Sequence, residues 1–153
     1  MALIGKISPH FTWQELLKSS TAQRRGISNE PSPMAAANLA RLSYMLLEPV
    51  REHFGRPYST TSGYRSPALN RAIGGSMTSN HSIGCAVDGE IRGIDNYDVA
   101  EWCVNNLPHF DEVILEKYTG GNTGWIHLAM RPENNRRKVL TWDGVNYMKG
   151  LVR

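Results

Sequence analysis

Ser79-Asn80-His81-Ser82-Ile83-Gly84-Cys85-Ala86-Val87-Asp88 is the most informative stretch of the chain, and Trp125-Ile126-His127 adds to it farther on. Together the two stretches offer two imidazoles and one carboxylate, with small residues packed around them. Three ligands of this kind, with a fourth position left for water, are typical of a catalytic zinc site. Zinc held in this way lowers the pKa of its water to about 7, so the pattern favours a hydrolytic function.

The spacing between His81 and Asp88 indicates how the first stretch folds. Side chains seven residues apart point to opposite faces of one strand, whereas on a helix they would share a face. Gly84 and two β-branched neighbours disfavour the helix. We predict a loop that carries His81, a turn at Gly84 and a short strand over 85–91 that carries Asp88. Taken alone, this spacing is more typical of a histidine and an aspartate that do not lie close together. The presence of His127 as a third candidate ligand favours the metal site instead.

Two predicted strands, 112–118 and 125–130, are joined by a turn rich in glycine and threonine. In a hairpin that is symmetric about residues 121–122, Glu116 lies directly opposite His127, with Cβ atoms about 5 Å apart on one face. The hairpin would then bring a carboxylate to the place where a general base for the attacking water is needed. A slip of one residue would turn Glu116 away from that face.

These residues resemble the S-x-H-x-x-G-x-A-x-D signature of the zinc D-Ala-D-Ala carboxypeptidases and their relatives, the phage L-alanyl-D-glutamate endopeptidases and vancomycin-resistance D,D-dipeptidases. Every fixed position of the signature is present, at Ser79, His81, Gly84, Ala86 and Asp88. The segment at 62–65 (Ser-Gly-Tyr-Arg) is similar to one that precedes the signature in this family, and 11–16 (Phe-Thr-Trp-Gln-Glu-Leu) is similar to the start of the small, single-domain branch common in phages and prophages. The resemblance spans roughly residues 11–130.

The resemblance implies roles for individual residues. His81, Asp88 and His127 match the family's ligands to one zinc ion per chain. Arg65 matches an arginine that contacts the substrate and helps to stabilise the tetrahedral intermediate. Beside this catalytic role, a peptide substrate is expected to contact a small set of residues: Arg65, Tyr64, Trp125 and Ser79.

One position departs from the family's pattern. Several members place the catalytic carboxylate three residues before the last histidine ligand, where this chain has Gly124. We expect Glu116 to replace it as the base, because it is similar to the strand glutamate of the small branch. The other candidates for the base are Asp111, Glu112 and Glu90, and Glu112 would face the same way as Glu116 but two pleats farther along the strand.

The activity implied is that of a zinc peptidase that hydrolyses an amide bond in the peptide stem of bacterial peptidoglycan. The bond is cut either by an endopeptidase, which we favour, or by a D-Ala-D-Ala carboxypeptidase. The alternative is a non-catalytic, zinc-containing module that binds peptidoglycan or serves as a phage structural part. The absence of a carboxylate at Gly124 is the feature that favours this alternative.

Composition sets further bounds. The chain of 153 residues, 41% hydrophobic and 20% charged, suits one globular domain over 1–153 with the motifs inside about 11–130. No apolar run suggests membrane insertion, and residues 1–9 lack a secretory signal, which predicts synthesis in the cytoplasm. Action on the wall would then follow phage-type release or occur as a virion component. We expect a monomer with two buried free thiols and no nucleic-acid partner, because no basic stripe is interleaved with aromatics.

The remaining pattern predicts an α+β fold with helices packed against a small, mainly antiparallel sheet that carries the site, and the resemblance implies the hedgehog/DD-peptidase form of this fold. Thr12 and Glu15 form a capping box, and apolar residues at helical spacing predict a long helix over 34–54, kinked at Pro49. The other predicted elements are a strand over 58–62 and helices over 67–73 and 96–106. Residues 132–138 are either a helical turn or a loop, and 141–152 is either a short strand or a tail.

Overall fold

The computed structural model describes residues 2–153. Its strands are β1 (Lys6–Ser8), β2 (Phe11–Thr12), β3 (Ser59–Ser62), β4 (Ala86–Glu90), β5 (Glu112–Glu116), β6 (Trp125–Ala129), β7 (Lys138–Trp142) and β8 (Tyr147–Lys149). β1 and β2 pair with each other, and the other six form one sheet in the order β3-β4-β6-β5-β7-β8. Within this sheet β5 and β7 are parallel, and the remaining pairs are antiparallel. The predicted α+β class with a mainly antiparallel sheet is confirmed.

The helices pack against one side of this sheet or cover its ends. They are α1 (Trp13–Leu17), α2 (Ser20–Arg25), α3 (Pro33–Leu42), α4 (Glu48–Phe54), α5 (Pro67–Ala72) and α6 (Asn96–Asn106). The predicted capping box of Thr12 and Glu15 is present at the start of α1. None of the helices within residues 2–153 is long and apolar enough to cross a membrane.

The predicted long helix is continuous but contains a wider segment instead of a simple kink. A π-helical stretch, Ser43–Leu47, joins α3 to α4, and Pro49 lies in the first turn of α4. Proline lacks an N–H and its ring collides with the carbonyl four residues earlier, and the wider turn relieves that collision. Gly55, in the left-handed conformation at φ 63°, then ends α4.

Alternation along the central strands separates the core from the site. Val113 and Leu115 of β5, together with Ile126 and Leu128 of β6, are fully buried in the hydrophobic core. The same core holds Cys103 of α6, and both cysteines of the chain are buried and free, as predicted. Because successive side chains of a strand point to opposite faces, the intervening residues of β5 and β6 line the opposite, open face.

The register of the β5–β6 hairpin differs from the prediction. Glu116 pairs with Trp125, and His127 pairs with Ile114. The predicted opposition of Glu116 and His127 is therefore wrong by two residues, because the turn is centred one residue earlier in the chain. Lys117 leaves the strand at φ 51° and Gly124 re-enters it at φ 64°, so left-handed residues at both ends define the turn. A shift of two residues keeps Glu116 on the face of His127.

The end of the chain forms a hairpin. β7 adds to the sheet beside β5 and starts at Lys138, and β8 returns along it. Of the two alternatives for residues 132–138, the structure has a loop that leads into β7, and 141–152 contains strand rather than a tail.

Candidate metal centre

His81 is held by a tight turn just before β4. Ser79 caps the 3₁₀ turn Asn80–Ile83, and its Oγ accepts a hydrogen bond from the backbone N–H of His81 at 3.2 Å. Gly84 ends the turn at φ 74°, where a Cβ would lie 2.1 Å from a backbone oxygen of Ala35. Only glycine fits that position, which explains the turn predicted there.

The ring of His81 is oriented by the backbone. Its Nδ1 lies 2.7 Å from the carbonyl oxygen of Gly63 and donates to it. The other nitrogen, Nε2, lies 3.4 Å from Oδ2 of Asp88 and has a free lone pair when the ring is neutral. A hydrogen bond that fixes one ring nitrogen in this way is a common device for presenting the other to a metal.

Asp88 and His127 meet across neighbouring strands. They are paired residues of β4 and β6, and Nδ1 of His127 lies 2.9 Å from Oδ1 of Asp88. Each of His81, Asp88 and His127 offers one ligand atom, and the three atoms all lie within 4.8 Å of one another. Two ligands each about 2.1 Å from a tetrahedral ion are roughly 3.4 Å apart, so the three donors suit a single zinc ion.

The charges at this point also suit a cation. Burial alone would raise the pKa of Asp88, but the charge of His81 and the hydrogen bond from His127 hold it well below its usual range. Burial alone would lower the pKa of His127, whereas Asp88 and Glu112 raise it to about 10. Carboxylates thus attract a positive charge to this spot, and a metal ion can take the place of the proton.

Glu116 lies on the same face, one pleat from His127. Burial raises the pKa of Glu116 to about 7, and the charge of Asp88 adds to the shift. The side chain lines the cleft that contains the three ligand candidates. A carboxyl group with a pKa near neutrality can both accept and return a proton.

Glu112 is closer to the centre than the sequence suggested. Because His127 pairs with Ile114, Glu112 and Glu116 are its diagonal neighbours on either side. Oε1 of Glu112 lies 3.5 Å from Nε2 of His127 and accepts a hydrogen bond from Asn80 at 3.0 Å. The interaction with His127 is the main cause that lowers the pKa of Glu112. The glutamate therefore approaches the ring nitrogen that faces away from Asp88.

Arg65 also lines the cleft that contains the ligand candidates. Its Nη2 donates to Oγ of Ser79 at 3.4 Å, and its Nε is buried without a hydrogen-bond partner within residues 2–153. Burial lowers the pKa of Arg65, and the charges of Asp88 and Glu116 oppose that shift. The guanidinium group thus faces the cleft as a cation with unused donor capacity.

The predicted contact residues do not all reach the cleft. Ser79, Arg65 and Trp125 line it, and its volume is about 440 Å³. Tyr64 is 4% exposed and packs in the hydrophobic core, so the structure gives it a packing role and not a place in the cleft. The sequence around residues 62–65 did not predict this burial. β3 ends at Ser62, so the regular alternation of buried and exposed side chains does not extend to Tyr64.

Two features of the cleft were not predicted from the sequence. Arg131 and Arg136 line the end near Glu112, and at the end near Glu116 Tyr147 joins the predicted Trp125. Arg136 donates two hydrogen bonds to the buried carboxylate of Asp111, at 2.9 and 2.7 Å. Arg131, Arg136 and Tyr147 lie far from the signature in sequence. Tyr147 reaches the site because β7 pairs with β5 and β8 pairs with β7.

Comparison with protein families gives a match over most of the chain. The sequence profile of a family described as peptidase M15 matches residues 9–129. No curated protein matches the chain significantly. The matched range contains His81, Asp88, His127, Arg65 and Glu116, and it ends at the last residue of β6.

Proposed function

Because this chain belongs to the peptidase M15 family, we propose that it is a zinc-dependent peptidase that hydrolyses an amide bond in the peptide stem of bacterial peptidoglycan. The observation that carries the proposal is the convergence of His81, Asp88 and His127 in a cleft that also holds Glu116 and Arg65. An imidazole, a carboxylate and a second imidazole are the ligand types of catalytic zinc sites.

His81 would hold zinc through Nε2, Asp88 through a carboxylate oxygen and His127 through Nδ1. Bound there, zinc would supply a Lewis acid that polarises the scissile carbonyl and acidifies water. Glu112 supports this arrangement, because a proton kept on Nε2 of His127 leaves Nδ1 free as a ligand.

Glu116 is the general base of the proposed reaction. It accepts a proton from the attacking water and delivers it to the leaving amine, which its pKa of about 7 suits. Arg65, whose side chain lines the cleft, donates to the oxygen on which negative charge develops. Ser79 keeps the guanidinium group in place.

The cleft favours an endopeptidase over a carboxypeptidase. Its walls continue past the ligands in both directions, toward Arg131 and Arg136 at one end and toward Trp125 and Tyr147 at the other. A carboxypeptidase needs a free cation for the terminal carboxylate of its substrate. Arg136 is already paired with Asp111, and Arg131 lies 3.6 Å from the same carboxylate.

Mass spectrometry of the soluble products from purified sacculi tests the proposal. The zinc-loaded protein is expected to release peptides with new termini, and Glu116→Gln to release at least a hundredfold less. Glu101→Gln is the matched control, because Glu101 is exposed on α6. No product from several wall types, with bound zinc verified, would contradict the peptidase and favour a non-catalytic binding or structural module.

A further inference from the structure

A row of aromatic side chains crosses the open face of the sheet at the level of Glu116. Glu116 pairs with Trp125 on one side and with Trp142 on the other, and Trp142 pairs with Tyr147. Directly paired residues share a face, so the three rings lie side by side. Ring centroids are 6.5 Å apart for Trp125 and Trp142, and 6.0 Å apart for Trp142 and Tyr147.

Most of this row comes from outside the part of the chain that matches the family. The match ends at residue 129, whereas Trp142 and Tyr147 belong to the terminal hairpin of β7 and β8. Parallel pairing of β7 with β5 holds this hairpin next to the site. The backbone N–H of Lys117 also donates a hydrogen bond of 2.7 Å to the carbonyl oxygen of Trp142. The row is therefore an addition that is placed firmly against the site.

The row is open to a ligand at Tyr147 and Trp125, and Trp142 between them is half-buried. Tyr147 is 60% exposed, and it lines the cleft together with Trp125. The indole N–H of Trp125 lies near enough to Glu116 to favour its anion, but it makes no hydrogen bond within the described residues. Exposed rings that are continuous with a reaction cleft favour a ligand with a flat apolar face and a polar edge.

We propose that Trp125, Trp142 and Tyr147 form a subsite for the amino sugar to which the stem peptide is attached; this inference rests on the proposed function. Stem peptides consist of small or charged residues, such as alanine, glutamate and a diamino acid, and none of them covers an aromatic ring. The sugar does, because one face of a pyranose presents C–H bonds to the electron-rich face of the ring. Its hydroxyl and acetamido groups meet water and the polar side chains that line the cleft.

The distance along the row limits which bond is cut. Neighbouring strands are about 4.8 Å apart, so Trp142 and Tyr147 lie roughly 5 and 10 Å from Glu116 along the row. An extended peptide spans about 3.3–3.6 Å per residue. A sugar seated on the row therefore leaves room for about one to three residues before the reacting bond. The terminal D-Ala–D-Ala bond follows the fourth residue and is farther from the sugar than this, so the bond cut is one of the inner peptide bonds of the stem.

Two matched substrates test the subsite. One is the disaccharide–peptide unit that a muramidase releases from sacculi, and the other is the same peptide freed from its sugar by an amidase. For the wild-type protein, kcat/KM is expected to be at least about tenfold higher with the disaccharide attached. Trp142→Ala and Tyr147→Ala are expected to remove that preference and to leave kcat/KM for the free peptide within about twofold. Tyr44→Ala is the control, because Tyr44 is a 57% exposed tyrosine on the π-helical segment.

The outcomes separate this inference from the proposed function. Equal losses on both substrates, or no loss on either, would overturn the subsite while leaving the peptidase intact. Trp142→Phe is the control for misfolding. It retains an aromatic ring and is therefore expected to keep most of the preference for the substrate with the sugar. Cleavage of neither substrate by the wild type would refute the peptidase. Calorimetric titration with the disaccharide–peptide then decides the subsite, and binding that Trp142→Ala does not weaken would overturn it.

Discussion

Gly124 lies three residues before His127, at the position where several members of the family that the sequence resembles carry the catalytic carboxylate. Its φ is 64°, and a Cβ there would lie 1.9 Å from the backbone oxygen of Glu116. No side chain fits at this point of the turn, so the position could not hold a base in this fold. The carboxylates that reach the cleft instead come from β5, as Glu112 and Glu116.

Gly124→Ala is expected to destabilise the protein by more than the cost of a left-handed alanine, which is about 1–2 kcal/mol. The turn must also move away from the Glu116 oxygen, and such overpacking adds about 1–3 kcal/mol. Urea unfolding at pH 7 measures both contributions. Gly55→Ala is the control, because Gly55 has a φ of 63° with nothing within 4 Å of a Cβ. Equal losses for the two variants would show that contact with Glu116 does not matter.

Glu116→Gln is expected to bind zinc as tightly as the wild type and to lose about two to four orders of magnitude in kcat. The amide keeps the size of the side chain but cannot accept the proton. Metal content is measured by atomic absorption and kcat by product release. A variant of normal activity would move the role of the base to another carboxylate.

Glu112→Ala is expected to weaken zinc binding more than it lowers kcat, because Glu112 lies 3.5 Å from Nε2 of His127, the nitrogen that faces away from Asp88. Loss of a group that orients a metal ligand costs about 10–100-fold in metal affinity. Competition with a chromogenic chelator measures the affinity, and kcat at saturating zinc is expected to fall less than in Glu116→Gln. Unchanged zinc affinity would contradict the positioning role of Glu112.

At the scale of elements, one buried carboxylate joins the start of the chain to α4. Glu48 is 5% exposed and accepts hydrogen bonds from Ser8 Oγ at 2.6 Å and from the backbone of His10 at 2.7 Å. Burial alone would raise the pKa of Glu48, but these bonds and the imidazole of His10 lower it. A lowered pKa stabilises the fold above the unfolded pKa, and this contribution is lost as the pH falls through the folded value.

Glu48→Gln is accordingly expected to cost about 1–3 kcal/mol of unfolding free energy at pH 7, the usual range for hydrogen bonds to a charged group. The difference from the wild type is expected to shrink as the pH falls below the unfolded pKa of about 4.3, and to be lost once the pH is below the lower folded pKa. Urea denaturation across this range gives the comparison. Glu52→Gln, an exposed change on the same helix, is expected to have little effect at any pH. A constant difference down to acid pH would contradict the proposed linkage.

At the scale of the whole molecule, the metal centre and the hydrophobic core lie on opposite faces of one sheet. The core includes Val87, Val113 and Leu128 on the strands that carry the ligand candidates, and its packing does not depend on the site. The zinc-free protein is therefore expected to fold. Zinc at a hundred times its Kd adds about 2.7 kcal/mol, which raises Tm by roughly 5–10 °C for a chain of this size.

Differential scanning calorimetry with zinc, and again after addition of a chelator, checks this expectation. His81→Ala is expected to abolish the zinc-dependent rise in Tm, whereas His109→Ala, at an exposed position, is expected to retain it. Far-UV circular dichroism should be the same with and without zinc. An unfolded zinc-free protein would show that the core is insufficient by itself.

The sequence alone determined the features that depend on local pattern. The pattern predicted strands over 112–118 and 125–130, and it predicted a loop with His81, a turn at Gly84 and a strand with Asp88; the structure has these strands with slightly shorter bounds. Those predictions held because side-chain direction follows from backbone period, and because Gly84 allows only one kind of turn. The burial of Tyr64 carried no such local signal.

Only the tertiary structure decided what depends on contacts between distant segments. The left-handed residues Lys117 and Gly124 set the turn one residue earlier than symmetry suggested, and this moved Glu112 beside His127. The parallel pairing of β7 with β5 brought Trp142 to the site, although no local pattern announces a parallel partner. Strand pairing depends on which edge is free and which turn fits, and these are properties of the assembled sheet.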